Sequence, residues 1–180
     1  MGEILKISFI SIIFSLVLSF PAFENFFTYL ILSFFFFFLH YYAHLLTSKF
    51  FGLKIKFEVL PKFTSTSFFI SLLFSLFKIP FKILIPGKID VYAYKFRLRK
   101  KITFEEVGAI SFAGPFINSL IAIFCWLFSF PLSDLILKTN WLIAISTLLP
   151  FGELDGTKIL FWKKWLWLLF FSISILLLIT

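Results

Sequence analysis

The sequence predicts an all-α multi-pass membrane bundle of about five to six transmembrane helices with a small interfacial β-sheet. Three observations carry this. Of 180 residues, 61% are hydrophobic and 14% charged, against roughly 45–50% and about 25% in soluble proteins. The apolar runs outlast anything a soluble core of this size hides. The 17 Lys and Arg lie between those runs rather than in one module, so the net charge of +8 reads as loops facing an anionic leaflet. A water-soluble domain is excluded, and the lipid bilayer rather than nucleic acid is the expected partner. The length suits one membrane-embedded domain over 1–180, and a single Cys125 excludes an internal disulfide.

Ile4 to Phe20 is the first apolar run. It resembles a signal peptide with a cleavage site near Pro21-Ala22-Phe23, but Pro21 suits cleavage poorly and the run is long enough to span, so a retained helix is expected. The start has no Ser or Thr where N-myristoylation needs one. Phe26 to Leu46 is the second span, with Phe34 to Phe38 leading into His40. Leu53 to Val59 alternates apolar and charged residues, and Ile89 to Ile102 mixes aromatic and β-branched residues with basic ones; both read as strands of an interfacial sheet, irregular basic loops being the alternative. Between them, Phe68 to Ile85 is apolar but broken by Lys78, Pro80 and Lys82, either a kinked span or a re-entrant hairpin. Val107 to Phe130 is the third clear span, Trp141 to Leu149 begins a fourth, and Trp165 to Ile179 is the last.

Basic residues orient this bundle. Twelve lie between Lys49 and Lys101, three are Lys158, Lys163 and Lys164, and Lys138 alone occupies the loop between the third and fourth spans. With a cytoplasmic N-terminus and a 68–85 segment that does not cross, 15 of the 17 fall in cytoplasmic loops, as the positive-inside rule favours. The expected localisation is therefore the cell membrane.

His40 and His44 are the chain's two histidines. Residues four apart share a helical face, which lets two imidazoles converge on one cation. Two polar side chains bonding to neighbouring helices give the same pattern, although ionisable groups at membrane depth tilt the reading towards function. Asp155 is the leading third ligand, in the Pro- and Gly-broken segment Leu148 to Gly156, where irregular backbone can line a polar cavity; an ordinary turn aspartate before Gly156 is the alternative. Gly114-Pro115-Phe116-Ile117-Asn118 interrupts the third span and reads first as close helix packing beside a proline kink.

Taken together, His40-Tyr41-Tyr42-Ala43-His44, Gly114-Pro115 with Asn118, and Leu149-Pro150 through Leu154-Asp155-Gly156 resemble, in order and approximate spacing, the site-2 protease family of intramembrane zinc metalloproteases. The likeness runs from about Phe26 to Trp165 and is nearest the compact prokaryotic branch, where Pro86-Gly87 before a strand is familiar. It implies a metalloprotease-like domain with a Zn2+ cofactor held by His40, His44 and Asp155, and a shaping role beside the site for Gly114, Pro115 and Asn118. It also implies a transmembrane segment of another membrane protein as substrate or partner, presented by the sheet; the metal is expected near the cytoplasmic face because His44 and Asp155 each sit beside a basic loop assigned inside.

Two positions depart from the family pattern. Tyr41 stands where the glutamate of H-E-x-x-H belongs, and Thr147 stands where an asparagine precedes the proline. That glutamate takes the proton from the attacking water and later delivers it to the leaving amine; a tyrosine, with an unperturbed pKa of about 10, is a poor base at neutral pH. The leading expectation is a zinc-binding homologue with impaired or lost peptidase activity. An active protease with Glu153 as relocated base is the second, and a small transporter or ion-binding bundle built on broken helices the third.

Overall fold

The computed structural model describes residues 2–79, 81–93 and 101–179. Its elements are α1 (Glu3–Ser19), α2 (Phe26–Phe50), β1 (Leu53–Val59), α3 (Pro61–Leu76), β2 (Gly87–Ala93), α4 (Phe104–Leu127), α5 (Ser133–Leu148), α6 (Asp155–Trp162) and α7 (Lys164–Ile179). The protein is thus mostly helical, with one small antiparallel sheet. α2 and α4, of 25 and 24 residues, are long and apolar enough to cross a membrane. α1 has 17 residues and α3, α5 and α7 have 16 each.

Three sequence readings are adjusted. The fourth apolar helix does not begin at Trp141 but at Ser133, and it ends at Leu148 where Pro150 forbids continuation. The second strand occupies Gly87–Ala93, while Pro80 and residues 94–100 lie outside the described residues. α6 is a separate helix, of which only Asp155 and Gly156 fall in the broken segment read from the sequence.

α5 is the central helix. Residues 139–148 are buried without a break, and Leu142, Ile143 and Ile145 meet Ile10, Phe14 and Val17 of α1 and Phe37 of α2 in one core. A helix apolar on every side has no outward face to lose, and its own polar groups turn inward: Thr139, Asn140 and Thr147 bond back to carbonyls at Leu135, Ile136 and Ile143. α7 is tied to α5 by the indoles of Trp141, bonded to Ser174 O at 2.6 Å, and Trp167, bonded to Leu148 O at 2.8 Å. α4 starts at a capping box, with Glu106 N donating to Thr103 Oγ1 and Thr103 N donating to Glu106 Oε2.

The 60–86 segment settles into a hairpin. Val59 pairs with Gly87 in the sheet, so the chain leaves and returns at the same place. α3 runs out, and an extended stretch comes back along it. The returning backbone is satisfied by hydroxyls: Ile85 N donates to Ser67 Oγ at 3.0 Å, Ile83 N to Ser71 Oγ at 2.9 Å, and Leu84 N to Ser146 Oγ of α5 at 3.1 Å. Thr64 and Ser71 in turn donate to Ile85 O and Ile83 O. Thr64, Ser67 and Ser71 recur three and four apart, so one face of α3 serves as the partner strand. The hairpin also reaches far from the sheet. Lys82 Nζ donates to Val17 O at 2.7 Å, at the C-terminal end of α1, whereas the N-terminal end of α1 meets the sheet through Glu3 Oε2 and Phe57 N at 3.0 Å. Lys82 therefore belongs to the end of the bundle opposite the sheet, a placement the charge count above had not given it.

Candidate metal centre

α2 carries His40 and His44 on one face, both buried. Their Nε2 atoms approach to 3.0 Å, with Asp155 Oδ2 at 3.4 Å from His44 Nε2 and 3.9 Å from His40 Nε2. One ligand atom from each residue lies within 4.8 Å of the others. The group could hold a metal ion. The three residues come from distant points of the chain, and three local features bring them together.

The first is Gly114. A Cβ there would fall 2.2 Å from His44 Nε2 and 2.6 Å from His40 Nε2, so only a bare backbone lets α4 pass the imidazoles. What packs against the bare backbone of Gly114 is the histidine pair. The second is Gly156, where a Cβ would meet Leu148 O at 2.0 Å. Its absence seats α6 against the end of α5 and delivers Asp155, the first residue of α6, to the histidines; a carboxylate in a first helical turn is also favoured by the helix dipole. The third is the set of bonds behind the rings. His40 Nδ1 is 2.6 Å from Asn118 Oδ1, and His44 Nδ1 is 2.6 Å from Ile110 O. The Ile110 carbonyl only accepts, and Asn118 presents its oxygen, an arrangement that places each ring proton on Nδ1 and turns the Nε2 atoms towards each other and towards Asp155 as long as that amide orientation holds.

This donor set fits a cation. Two imidazole lone pairs facing each other at 3.0 Å repel, a cost that the packed rings bear without a ligand and that a metal between the rings and the carboxylate removes. Asp155 Oδ1 is buried without a hydrogen-bond partner among the described residues, an arrangement that costs roughly 1–3 kcal/mol or more for a charged group left so. A metal bound by Nε2 atoms and the carboxylate removes both costs.

Beside the centre is a narrow cleft of about 20 Å³, lined by His40, Tyr41, Thr147 and Asp155 together with Phe57, Pro86, Gly87, Lys88 and Ile89. Residues of both strands thus share the cleft with His40 and Asp155. Tyr41, next to His40 in the chain, lies on its wall and packs with the apolar core. Glu153 is elsewhere: it lines the neighbouring groove, and its carboxylate is bonded to Lys88 Nζ, which also lies 3.3 Å from Asp90 Oδ1. The Lys88 ammonium holds the Glu153 carboxyl below the usual carboxylate range, the wrong direction for a general base. Pro115 cannot donate to the Ser111 carbonyl, next to Ile110, yet α4 continues through it to Leu127.

Sequence reasoning missed Asn140 and Lys88. Asn140 Oδ1 accepts from Asn118 Nδ2 at 2.8 Å, and an asparagine inside an apolar run was the available signal. Lys88 gave none, because its position depends on the strand register. Comparison with known proteins adds no relative: no family model, no curated protein and no solved structure matches the chain.

Proposed function

We propose that the chain is a multi-pass membrane protein of the site-2-protease kind, which binds zinc through His40, His44 and Asp155 and has impaired or lost peptidase activity. The observation that carries this reading is the convergence of two imidazoles, whose Nδ1 atoms face acceptors, and a buried carboxylate with a partnerless oxygen beside a cleft. Two nitrogens and one carboxylate oxygen form a catalytic-type zinc set, open at a further position. Zinc held there would supply Lewis-acid polarisation of a peptide carbonyl. The protein's own residues do the rest: Asn118 and Ile110 orient the rings, Gly114 gives them room, and the apolar wall of the cleft excludes water. The proton-accepting role is the one without an occupant, since Tyr41 takes the base's place and Glu153 is bound to Lys88 outside the cleft.

Membrane insertion is supported by the outer surface. Phe27, Ile31, Phe50, Phe69 and Leu176 are exposed by 76, 70, 84, 63 and 62%, a spread of large apolar side chains that water does not favour and lipid does. The sheet end carries Lys6, Lys49, Lys54, Lys56, Lys62, Lys88, Lys101, Lys158, Lys163 and Lys164. By the positive-inside rule it faces the cytoplasm, which puts the metal near that face. A transmembrane segment of another protein is the expected ligand of the cleft and sheet.

Metal analysis of the purified protein tests the reading. One zinc per chain is expected, falling to background in the His40→Ala, Asp155→Ala double variant. Substoichiometric zinc that this variant does not change would overturn it.

A further inference from the structure

Resting on the metal-site reading, we infer that Asn140 of α5 is a positioning residue: it fixes the His40 proton on Nδ1 and so makes His40 Nε2 available to a cation. The argument starts from an asymmetry between the two histidines. His44 Nδ1 faces the backbone carbonyl of Ile110, which accepts and cannot turn round. His40 Nδ1 faces the side-chain amide of Asn118, which can present either its oxygen or its NH₂ from nearly the same volume. With the NH₂ turned to it, Nδ1 would have to accept. The ring proton would then move to Nε2, 3.0 Å from His44 Nε2, and the lone pair would be lost to ligation.

A chain of bonds decides between the two orientations. Asn140 Nδ2 donates to Ile136 O at 2.9 Å, and that carbonyl, like any other, only accepts. Asn140 must therefore aim Oδ1 the other way, where it accepts from Asn118 Nδ2 at 2.8 Å. Asn118 is then committed to offering Oδ1 to His40 at 2.6 Å. Asn118 and Asn140 are both fully buried, so no solvent competes for either amide. The direction of every bond from α5 to the metal centre follows from one acceptor-only group at Ile136.

The test is ¹⁵N NMR of histidine-labelled protein in detergent, metal-free and at mildly alkaline pH, with zinc affinity measured on the same samples. Two histidines in the chain make the ring signals assignable by single substitution. In the unmutated protein both rings should be Nδ1–H. In Asn140→Leu, and in the less bulky Asn140→Ser, His40 should gain the Nε2–H form while His44 keeps its signals, and zinc affinity should fall by about tenfold to a hundredfold. Asn140→Asp presents an oxygen to Asn118 whether or not it is protonated, and should retain the native His40 signals. An Nε2–H His40 in the unmutated protein, or Leu and Ser variants with unchanged His40 signals and unchanged zinc affinity, would overturn the inference. Absence of zinc uptake by the unmutated protein overturns the metal reading instead, and the tautomer shift then decides the role of Asn140 by itself.

Discussion

A methyl group at position 114 would lie 2.2 Å from His44 Nε2, closer than any real contact, and the atoms it meets are ring nitrogens held from behind by Ile110 and Asn118. Gly114→Ala should therefore abolish zinc binding while leaving helix content, measured by circular dichroism, near native; retention of a full zinc equivalent would show that the rings can retreat. Tyr41 supports a gain-of-function forecast. Tyr41→Glu places a carboxylate on the cleft wall next to His40, and general acid–base catalysis contributes about 10²–10⁴-fold, so zinc-dependent cleavage of a membrane peptide should rise from near background by that order. Glu153→Gln should change the native rate little, and a native rate that is high and collapses in Glu153→Gln would move the base to Glu153. At this scale the sequence was informative where chemistry is written in spacing. His40 and His44 declare a shared face by their separation, and Asp155 by its broken surroundings. Asn140 stayed hidden because its partner lies on another helix, and no local period encodes which helices meet.

At the scale of elements, the returning stretch of the hairpin is a strand without a strand partner, held by hydroxyls of α3. Removing them leaves the part-buried Ile83 N and Ile85 N without these acceptors, at up to about 1–3 kcal/mol each. Ser67→Ala with Ser71→Ala should thus lower stability clearly in an unfolding assay in detergent. Ser65→Ala with Thr66→Ala should stay within about 0.5 kcal/mol, since those hydroxyls are exposed and bond only back to Lys62 O; equal effects in the two pairs would show that the hydroxyl partners carry nothing. A second tie joins β2 to the loop before α6 through Lys88 and Glu153. Because Lys88 depresses the Glu153 carboxyl, the contribution of this pair is present above the unfolded carboxylate pKa and is lost as pH falls through the lower, folded one. The melting-temperature difference between native protein and Glu153→Gln should therefore persist through mildly acidic pH and vanish only below the usual carboxylate range; a difference that grows on acidification would reverse the sign. The strand over Leu53–Val59 was legible from its alternation, and the hairpin was one of two readings open for 68–85. The choice between them needed the pairing of Val59 with Gly87, a contact between residues 28 apart that no window of sequence contains.

Across the whole molecule, two ends are distinguished by charge and by what they hold. The sheet, the cleft and the histidines lie towards one end, where α2 finishes and α4 and α6 begin. The other end has Lys138 near the start of α5 and Lys82 on the last carbonyls of α1. α1, with 17 residues, spans about 25 Å at 1.5 Å per residue, short of a bilayer core of roughly 30 Å, and α3 with 16 residues is shorter still. Both can meet the two interfaces where the bilayer thins and where lysines extend from the ends. In the proposed membrane orientation the hairpin would cross outward as a helix and return as an extended chain, tolerable at that depth because protein hydroxyls, not lipid, satisfy its backbone. The topology follows in a form that cysteine labelling can read. Lys56→Cys and Lys163→Cys should react from the cytoplasmic face. Lys138→Cys should react from the opposite face, and so should Lys78→Cys at the hairpin tip, although Lys56 and Lys88 share one sheet. Labelling of Lys78→Cys together with Lys56→Cys from the cytoplasmic side alone would show that the hairpin turns back inside the bilayer before reaching the far interface.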